Sequence, residues 1–281
     1  MHELRATPSK EWTQVSKSQI PGTALVTGAS GGIGALYADR LARRGHDLVL
    51  VARDRARLDR LARRLVAETG RQVRVLAADL ADPAGTAAVE QVLQDDASLT
   101  MLVNNAGVGA TAPLLASDVG AMSRMIALNV DAPMRLTYAA VPRFVARSHG
   151  TVVNIASVVA VAPELLNGVY GGTKAFVLAF SQSLRHELAG TGVGVQVVLP
   201  GATATEFWSV AGTPLEHLPR EMVMRAEDLV DAALAGLDAG EFATVPSLPD
   251  PADWAAFEAA RLALRPGLSR TVPASRYGLA A

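Results

Sequence analysis

Thr23-Ala24-Leu25-Val26-Thr27-Gly28-Ala29-Ser30-Gly31-Gly32-Ile33-Gly34 is the stretch that decides how this chain folds. Residues 23–27 predict a short buried strand, and the glycine-rich turn after it opens onto a helix over 32–44 that Gly45 stops. Where a strand enters a helix through glycines, no Cβ keeps a phosphate away. The helix end also offers free N–H groups and the positive end of its dipole. The spacing here is Gly28-x-x-x-Gly32-x-Gly34, not the Gly-x-Gly-x-x-Gly of the standard fingerprint. A plain tight turn is the competing reading, and only the strand–turn–helix context favours a nucleotide.

Outward from this unit, short apolar runs alternate with amphipathic stretches. Strands are predicted at 47–52, 73–77, 101–104, 151–156, 195–199 and 242–245, and helical spacing at 55–68, 83–94, 123–147 and 170–188. Strict alternation implies an α/β fold, a single Rossmann-like doubly wound parallel sheet of about seven strands with helices on both faces. Residues 1–20 read as a polar N-terminal extension and 21–245 as the Rossmann-like domain. That domain includes a lid near 206–224, where Trp208, Gly212, Pro214 and Pro219 break any clean period. Residues 246–281 hold five prolines and read as a tail with one short helix near 254–264.

Composition narrows the function. The chain has 281 residues, 50% hydrophobic and 19% charged, with a net charge of −1 and mean hydropathy of +0.24. Such a balance gives no footprint for nucleic acid or an anionic membrane, and no run approaches a spanning helix. The absence of cysteine excludes disulfides, thiolate catalysis and cysteine-ligated metals. No metal is called for, and the expected setting is the cytoplasm. The 26 Lys+Arg include only three lysines, Lys10, Lys17 and Lys174, so the body of the protein uses arginine nearly everywhere else.

Lys174 is therefore conspicuous. It lies four residues after Tyr170, one helical turn away on the same face. A compact ammonium beside a phenol can hold a sugar hydroxyl and favour the phenolate, a task for which a planar guanidinium is poorly shaped. A half-buried tyrosine next to a surface lysine is the plain alternative. Cofactor choice is read at the end of the second strand, Val51-Ala52-Arg53. NAD binding usually relies on a carboxylate there. Here an arginine follows at once, suited to a 2′-phosphate, which favours NADP(H) over NAD(H). Arg53 merely opening the basic helix with Arg57, Arg60, Arg63 and Arg64 is the alternative, and Asp54 keeps NAD open.

Taken together, Thr27-Gly28-x-x-x-Gly32-x-Gly34, Asn104-Asn105-Ala106-Gly107 and Tyr170-x-x-x-Lys174 resemble the short-chain dehydrogenase/reductase family over residues 20–245. The resemblance implies that Asn129, Ser157, Tyr170 and Lys174 are catalytic. It also implies a dinucleotide held by Gly28, Ser30, Gly32, Ile33, Gly34, Arg53, Asp79, Leu80, Asn105, Ala106 and Gly107, by Tyr170 and Lys174, and by Pro200, Gly201, Thr203 and Thr205. In that family Asp79-Leu80 would contact the adenine. The segment from Pro200 would hold the nicotinamide carboxamide, and Asn129 would position a water linking Lys174 to solvent. A homodimer or homotetramer paired through the helices of Asn129 and Tyr170 is implied as well. Gly171-Gly172 departs from the Ala-Ser common there. Glycine inside a helix costs about 1 kcal/mol relative to alanine, which predicts close packing at that point.

The chemistry expected is interconversion of a hydrophobic ketone or aldehyde with its alcohol by hydride transfer. Tyr170 serves as general acid/base with its pKa lowered by Lys174 and by the oxidised nicotinamide, and Ser157 steadies the substrate oxygen. Apolar residues 158–166, with Phe207 and Trp208, suggest a hydrophobic pocket. Two other readings stay open. One is a 3-oxoacyl-carrier reductase, for which Arg135, Arg143 and Arg147 offer only a weak basic patch. The other is a non-catalytic NADP-sensing regulator.

Overall fold

The computed structural model describes residues 21–279, so the N-terminal extension lies outside the described residues. Nine strands appear in chain order: β1 (Thr23–Thr27), β2 (Asp47–Ala52), β3 (Val73–Ala77), β4 (Leu99–Asn104), β5 (Gly150–Ile155), β6 (Val193–Val198), β7 (Thr203–Ala204), β8 (Met224–Arg225) and β9 (Ala243–Thr244). Seven of them form one parallel sheet in the order β3-β2-β1-β4-β5-β6-β9, and β7 pairs with β8 apart from it.

The helices are α1 (Gly32–Arg43), α2 (Arg55–Thr69), α3 (Pro83–Asp95), α4 (Val119–Ile126), α5 (Ala132–Ala146), α6 (Gly168–Glu187), α7 (Phe207–Ala211), α8 (Ala226–Asp238) and α9 (Pro251–Ala263). Alternation along each strand sorts the core into two layers. Ala24, Val26, Leu48 and Leu50 pack with Tyr37 and Leu41 of α1, Leu58 of α2 and Leu229 of α8. Leu25, Val49 and Val51 turn the other way, against Val89 of α3 and Leu136 and Phe144 of α5. Both faces are covered, as the apolar strand sequences imply.

Charge fixes α1 between its neighbours. The buried Asp39 carboxylate accepts from Arg40, Arg43 and Arg64, which joins α1 to α2, while Arg40 and Arg44 reach Asp231 and Asp238 of α8.

The structure revises two predicted elements and adds a third. The helix expected over 123–147 begins earlier and is interrupted: a π-helical turn, Ala127–Asp131, separates α4 from α5. Residues 226–238, unassigned by the sequence reading, form α8, which covers the sheet beside α1. The last strand of the sheet is only two residues, Ala243–Thr244. The chain divides into a unit ending at Pro246 and another beginning at Ser247. The second unit consists of α9, capped by the Asp250 side chain accepting from the Ala252 N–H at 2.8 Å, followed by two short 3₁₀ turns.

Candidate active site

The sheet order reverses between β1 and β4, and open α/β sheets place their ligands at the carboxyl ends of strands flanking such a switch. A cleft of about 790 Å³ lies there. Of the residues assigned by sequence, Gly28, Ser30, Gly32, Ile33, Arg53, Asp79, Leu80, Asn105, Ala106, Gly107, Ser157, Tyr170, Lys174, Pro200, Gly201, Thr203 and Thr205 all line it. Gly34 and Asn129 stand behind the wall.

The glycine turn is braced from within. The Thr27 hydroxyl donates to the Val103 carbonyl at 3.2 Å and accepts from the N–H groups of Asn105 and Ala106 at 2.9 and 3.0 Å. The Asn105 amide donates to the Thr27 carbonyl at 2.9 Å. Gly28, at φ +67°, and Gly34 are required by this bracing, because a Cβ on either would stand 2.7 or 2.4 Å from the Asn105 amide nitrogen. Their missing side chains therefore accommodate the protein's own chain. At Gly31 the situation is opposite: a Cβ there would meet only Arg57, 3.7 Å away, so this part of the turn opens to the cleft.

Helix α6, which carries Tyr170 and Lys174, starts at a fixed point. Asn167 caps it, its side-chain oxygen accepting from the Val169 N–H at 2.9 Å, while its amide donates to the Ala112 carbonyl at 2.6 Å and to Ser117 at 3.1 Å. The sequence reading did not single out Asn167, although an asparagine just before a helix is a recognisable cap signal. Tyr170 and Lys174 follow on the inward face, at 5% and 7% exposure. The Lys174 ammonium donates to the Ile155 carbonyl at 2.9 Å and lies 5.9 Å from the Tyr170 ring centre. Among the described residues no acceptor is recorded for its other two N–H groups, which suits a ligand hydroxyl. Ser157 donates to the Pro200 carbonyl at 3.3 Å and accepts from the Val159 N–H at 3.3 Å, with its hydroxyl close enough to the Tyr170 phenol to act on it.

Electrostatics here differ from expectation. Burial pushes the Tyr170 phenol up to about 12, with the Ser157 hydrogen bond acting in the opposite sense. The predicted lowering of that pKa is therefore absent from the protein alone, and the phenol keeps its proton at neutral pH. Burial brings Lys174 down to about 8. An ammonium and a phenol in one dry corner are both pressed toward neutrality.

Asn129 occupies the π-helical turn, a feature often found at functional sites. Its side chain grips Val108 twice, accepting from the N–H at 3.0 Å and donating to the carbonyl at 2.8 Å, and it also donates to Thr173 at 3.1 Å. It thereby joins the segment after β4 to the helix that carries Tyr170 and Lys174.

Beyond Tyr170 the cleft wall is apolar, formed by Val159, Leu166, Phe207, Trp208, Leu218 and Met222. The Phe207 ring lies 5.7 Å from that of Tyr170, and Gly109 makes room for it, since a Cβ there would approach the ring to 2.2 Å. At the other end Arg53 and Arg57 face the cleft. Asp54, the residue that kept NAD open, spends its carboxylate capping α2, where it accepts from the Arg57 N–H at 2.9 Å.

A braced glycine turn at a switch point, a buried ammonium on the cleft wall with N–H groups to spare and a proton-bearing phenol beside a hydroxyl fit a nicotinamide dinucleotide and a carbonyl or alcohol substrate. Comparison with known proteins agrees. The short chain dehydrogenase family model matches residues 22–214. A short-chain dehydrogenase from Sphingobium yanoikuyae, solved in complex with NADPH, is 50% identical with a TM-score of 0.88, covering 91% of this chain and 100% of that one. The bulky-bulky ketone specific alcohol dehydrogenase of Comamonas testosteroni is 44% identical with a TM-score of 0.85, covering 92% and 99%. Serine 3-dehydrogenase of Agrobacterium fabrum (strain C58 / ATCC 33970) is 37% identical over 190 residues, 67% of this chain and 74% of that protein. The chain belongs to the short-chain dehydrogenase/reductase family and is an NAD(P)-dependent oxidoreductase acting on CH–OH groups. No helix among the described residues is long and apolar enough to cross a membrane.

Proposed function

We propose that this protein is an NADP(H)-dependent carbonyl reductase for bulky hydrophobic ketones and their alcohols. The observation that carries the reading is the apolar wall running from Val159 to Met222 directly beside Tyr170 and Ser157. A substrate there would find polar partners only at its oxygen, with apolar surface around both substituents. The name of the Comamonas relative, specific for ketones with two bulky groups, supports the same class. The NADPH held by the Sphingobium relative supports NADP, as do Arg53 facing the cleft and the engagement of Asp54 in a helix cap.

The bound cofactor supplies the hydride for reduction and accepts it in oxidation. Tyr170, protonated at neutral pH in the resting protein, donates its proton to the substrate oxygen as that oxygen gains charge, and Ser157 donates a hydrogen bond to the same atom. Lys174 holds the nicotinamide-side ribose through its free N–H groups and balances the charge left on Tyr170. Asn129 is a positioning residue, acting through Val108 and Thr173.

A carrier-dependent 3-oxoacyl reductase is less well supported. Arg135 pairs with Glu90 on α3, and Arg147 donates to carbonyls at the start of β4, the sheet end opposite the cleft. Pairing of two copies through α5 and α6 is part of the same proposal. Tyr138, 71% exposed, stacks on Phe180 across those helices, and light scattering of Tyr138→Glu should report a smaller assembly.

Following reduced-nicotinamide absorbance with NADPH or NADH and a graded set of aryl ketones tests the reading directly. Expected are turnover that persists as both substituents grow and a clear preference for NADPH. Tyr170→Phe should lose about 10²-fold or more in kcat with NADPH affinity little changed, and near-native turnover of that variant would sink the proton-donor assignment.

A further inference from the structure

Arg57 is the point of departure. The sequence reading names it only as a member of the basic helix that Arg53 opens, yet it lies on the cleft wall with Arg53, Ser30 and Gly31. It stands 3.7 Å from where a Gly31 Cβ would be, over the open part of the phosphate-cradling turn. It also reaches across the cleft mouth: its Nη1 donates to the Glu206 carboxylate at 2.6 Å, joining α2 to the residue that begins the lid helix α7. The cleft's ribose-phosphate end thus carries two guanidinium groups: Arg53 has no ion-pair partner among the described residues, while Arg57 is matched to Glu206 from 149 positions away, with the helix-capping Asp54 carboxylate a looser 3.6 Å from its Nε.

We propose that Arg57 is a second ligand for the 2′-phosphate of NADP and that Glu206 is its built-in competitor, an internal anion displaced when the phosphate binds. The inference rests on the NADP reading above and deepens it. A phosphate near neutral pH carries roughly −1.5 to −2 charge against −1 for a carboxylate, and it offers oxygens to both forks of a guanidinium. Brought beside Arg53 and Arg57, it also repels Glu206 at close range. The exchange requires no burial, since both partners are solvent-exposed and their pair is readily broken by a stronger anion. Release of Glu206 frees the start of α7, whose Phe207 and Trp208 wall the substrate end. Occupation of the phosphate end is thereby coupled to the lid, and a cofactor lacking the 2′-phosphate leaves the latch shut.

Calorimetric titration of the full chain with 2′,5′-ADP and with 5′-AMP tests this without any turnover. Glu206→Gln should tighten 2′,5′-ADP by about threefold to tenfold and leave 5′-AMP within twofold. Arg57→Gln should weaken 2′,5′-ADP by about tenfold, again sparing 5′-AMP, and in the double variant the gain from Glu206→Gln should vanish. Unchanged thermal melting of each variant confirms that the fold is intact. If the native protein prefers 2′,5′-ADP but neither single variant alters that preference, the Arg57–Glu206 inference falls and the cofactor reading stands. Weaker 2′,5′-ADP binding by Glu206→Gln would equally overturn the competitor role. If the native protein binds 2′,5′-ADP no better than 5′-AMP, both fall together.

Discussion

Gly171 and Gly172 sit side by side between Tyr170 and Lys174 in α6, yet they answer to different constraints. A Cβ at Gly171 would stand 2.8 Å from the Pro163 side chain and 3.0 Å from its Cα, so α6 lies against the 3₁₀ turn of Pro163–Leu165 with no room to spare. Around Gly172 nothing lies within 4 Å. The close packing expected from the sequence is therefore real at one glycine and absent at the other. Gly172→Ala should stabilise the protein by roughly 0.5–1 kcal/mol, the helix-propensity difference. Gly171→Ala should destabilise it and lower kcat by shifting Tyr170. Urea denaturation midpoints of the two variants check the contrast, and equal effects at both positions would refute it. The sequence singled out Tyr170, Lys174 and Ser157 because chemistry restricts the choice at such positions, and all three line the cleft. Where the restriction comes from a distant neighbour, residues were not legible: the dependence of Gly34 on Asn105, or the pairing of Arg57 with Glu206, has no local signature.

Elements buried on both faces were the easiest to read. β1 and β2 coincide with the predicted runs because buried apolar residues fill nearly every position there; β3, at the sheet edge and only partly buried, was legible from Val73, Val75 and Leu76. α8 was unassigned although Leu229, Val230, Ala233 and Leu234 repeat at helical spacing; it follows a lid segment whose glycine and prolines hide where a helix could begin. The π-helical turn was illegible for another reason, since it is held by tertiary bonds from Asn129 and not by propensity. The start of α6 shows how an element's end can govern a site. Asn167→Ala removes both the helix cap and the tether to the 112–117 loop, and should cost about 1–2 kcal/mol with a several-fold fall in kcat. Asn167→Ser keeps a capping oxygen but has no amide with which to reach Ala112 and Ser117 together. It should regain most of the stability and little of the rate. Recovery of both by serine would mean that the cap alone positions Tyr170.

For the molecule as a whole, the site is a place where folding and function oppose one another. Lys174 is buried against the end of β5, and burial lowers it from 10.5 to about 8. A base whose pKa is lower folded than unfolded binds fewer protons in the native state, so stability rises with pH between those two values and the full penalty is present below about 8. At 1.36 kcal/mol per unit that penalty is about 3 kcal/mol, a sizeable part of the 5–15 kcal/mol that typically holds a domain together. Lys174→Met keeps the apolar stem and removes the charge, at the expense of an unpartnered Ile155 carbonyl worth about 1–3 kcal/mol. At pH 7 the variant should be as stable as the native protein or up to about 2 kcal/mol more stable, while losing nearly all turnover. Raising the pH toward 10.5 relieves the native protein of its buried charge and leaves the variant untouched, so the difference should move by about 3 kcal/mol in favour of the native chain. Denaturant titrations of both proteins at pH 7 and pH 10 measure that shift. The same ammonium should appear in the native enzyme's rate, with kcat/KM for reduction falling as pH rises through about 8. A stability difference independent of pH would mean that Lys174 keeps its ordinary pKa, and the charge balance assigned to Tyr170 would then need another source.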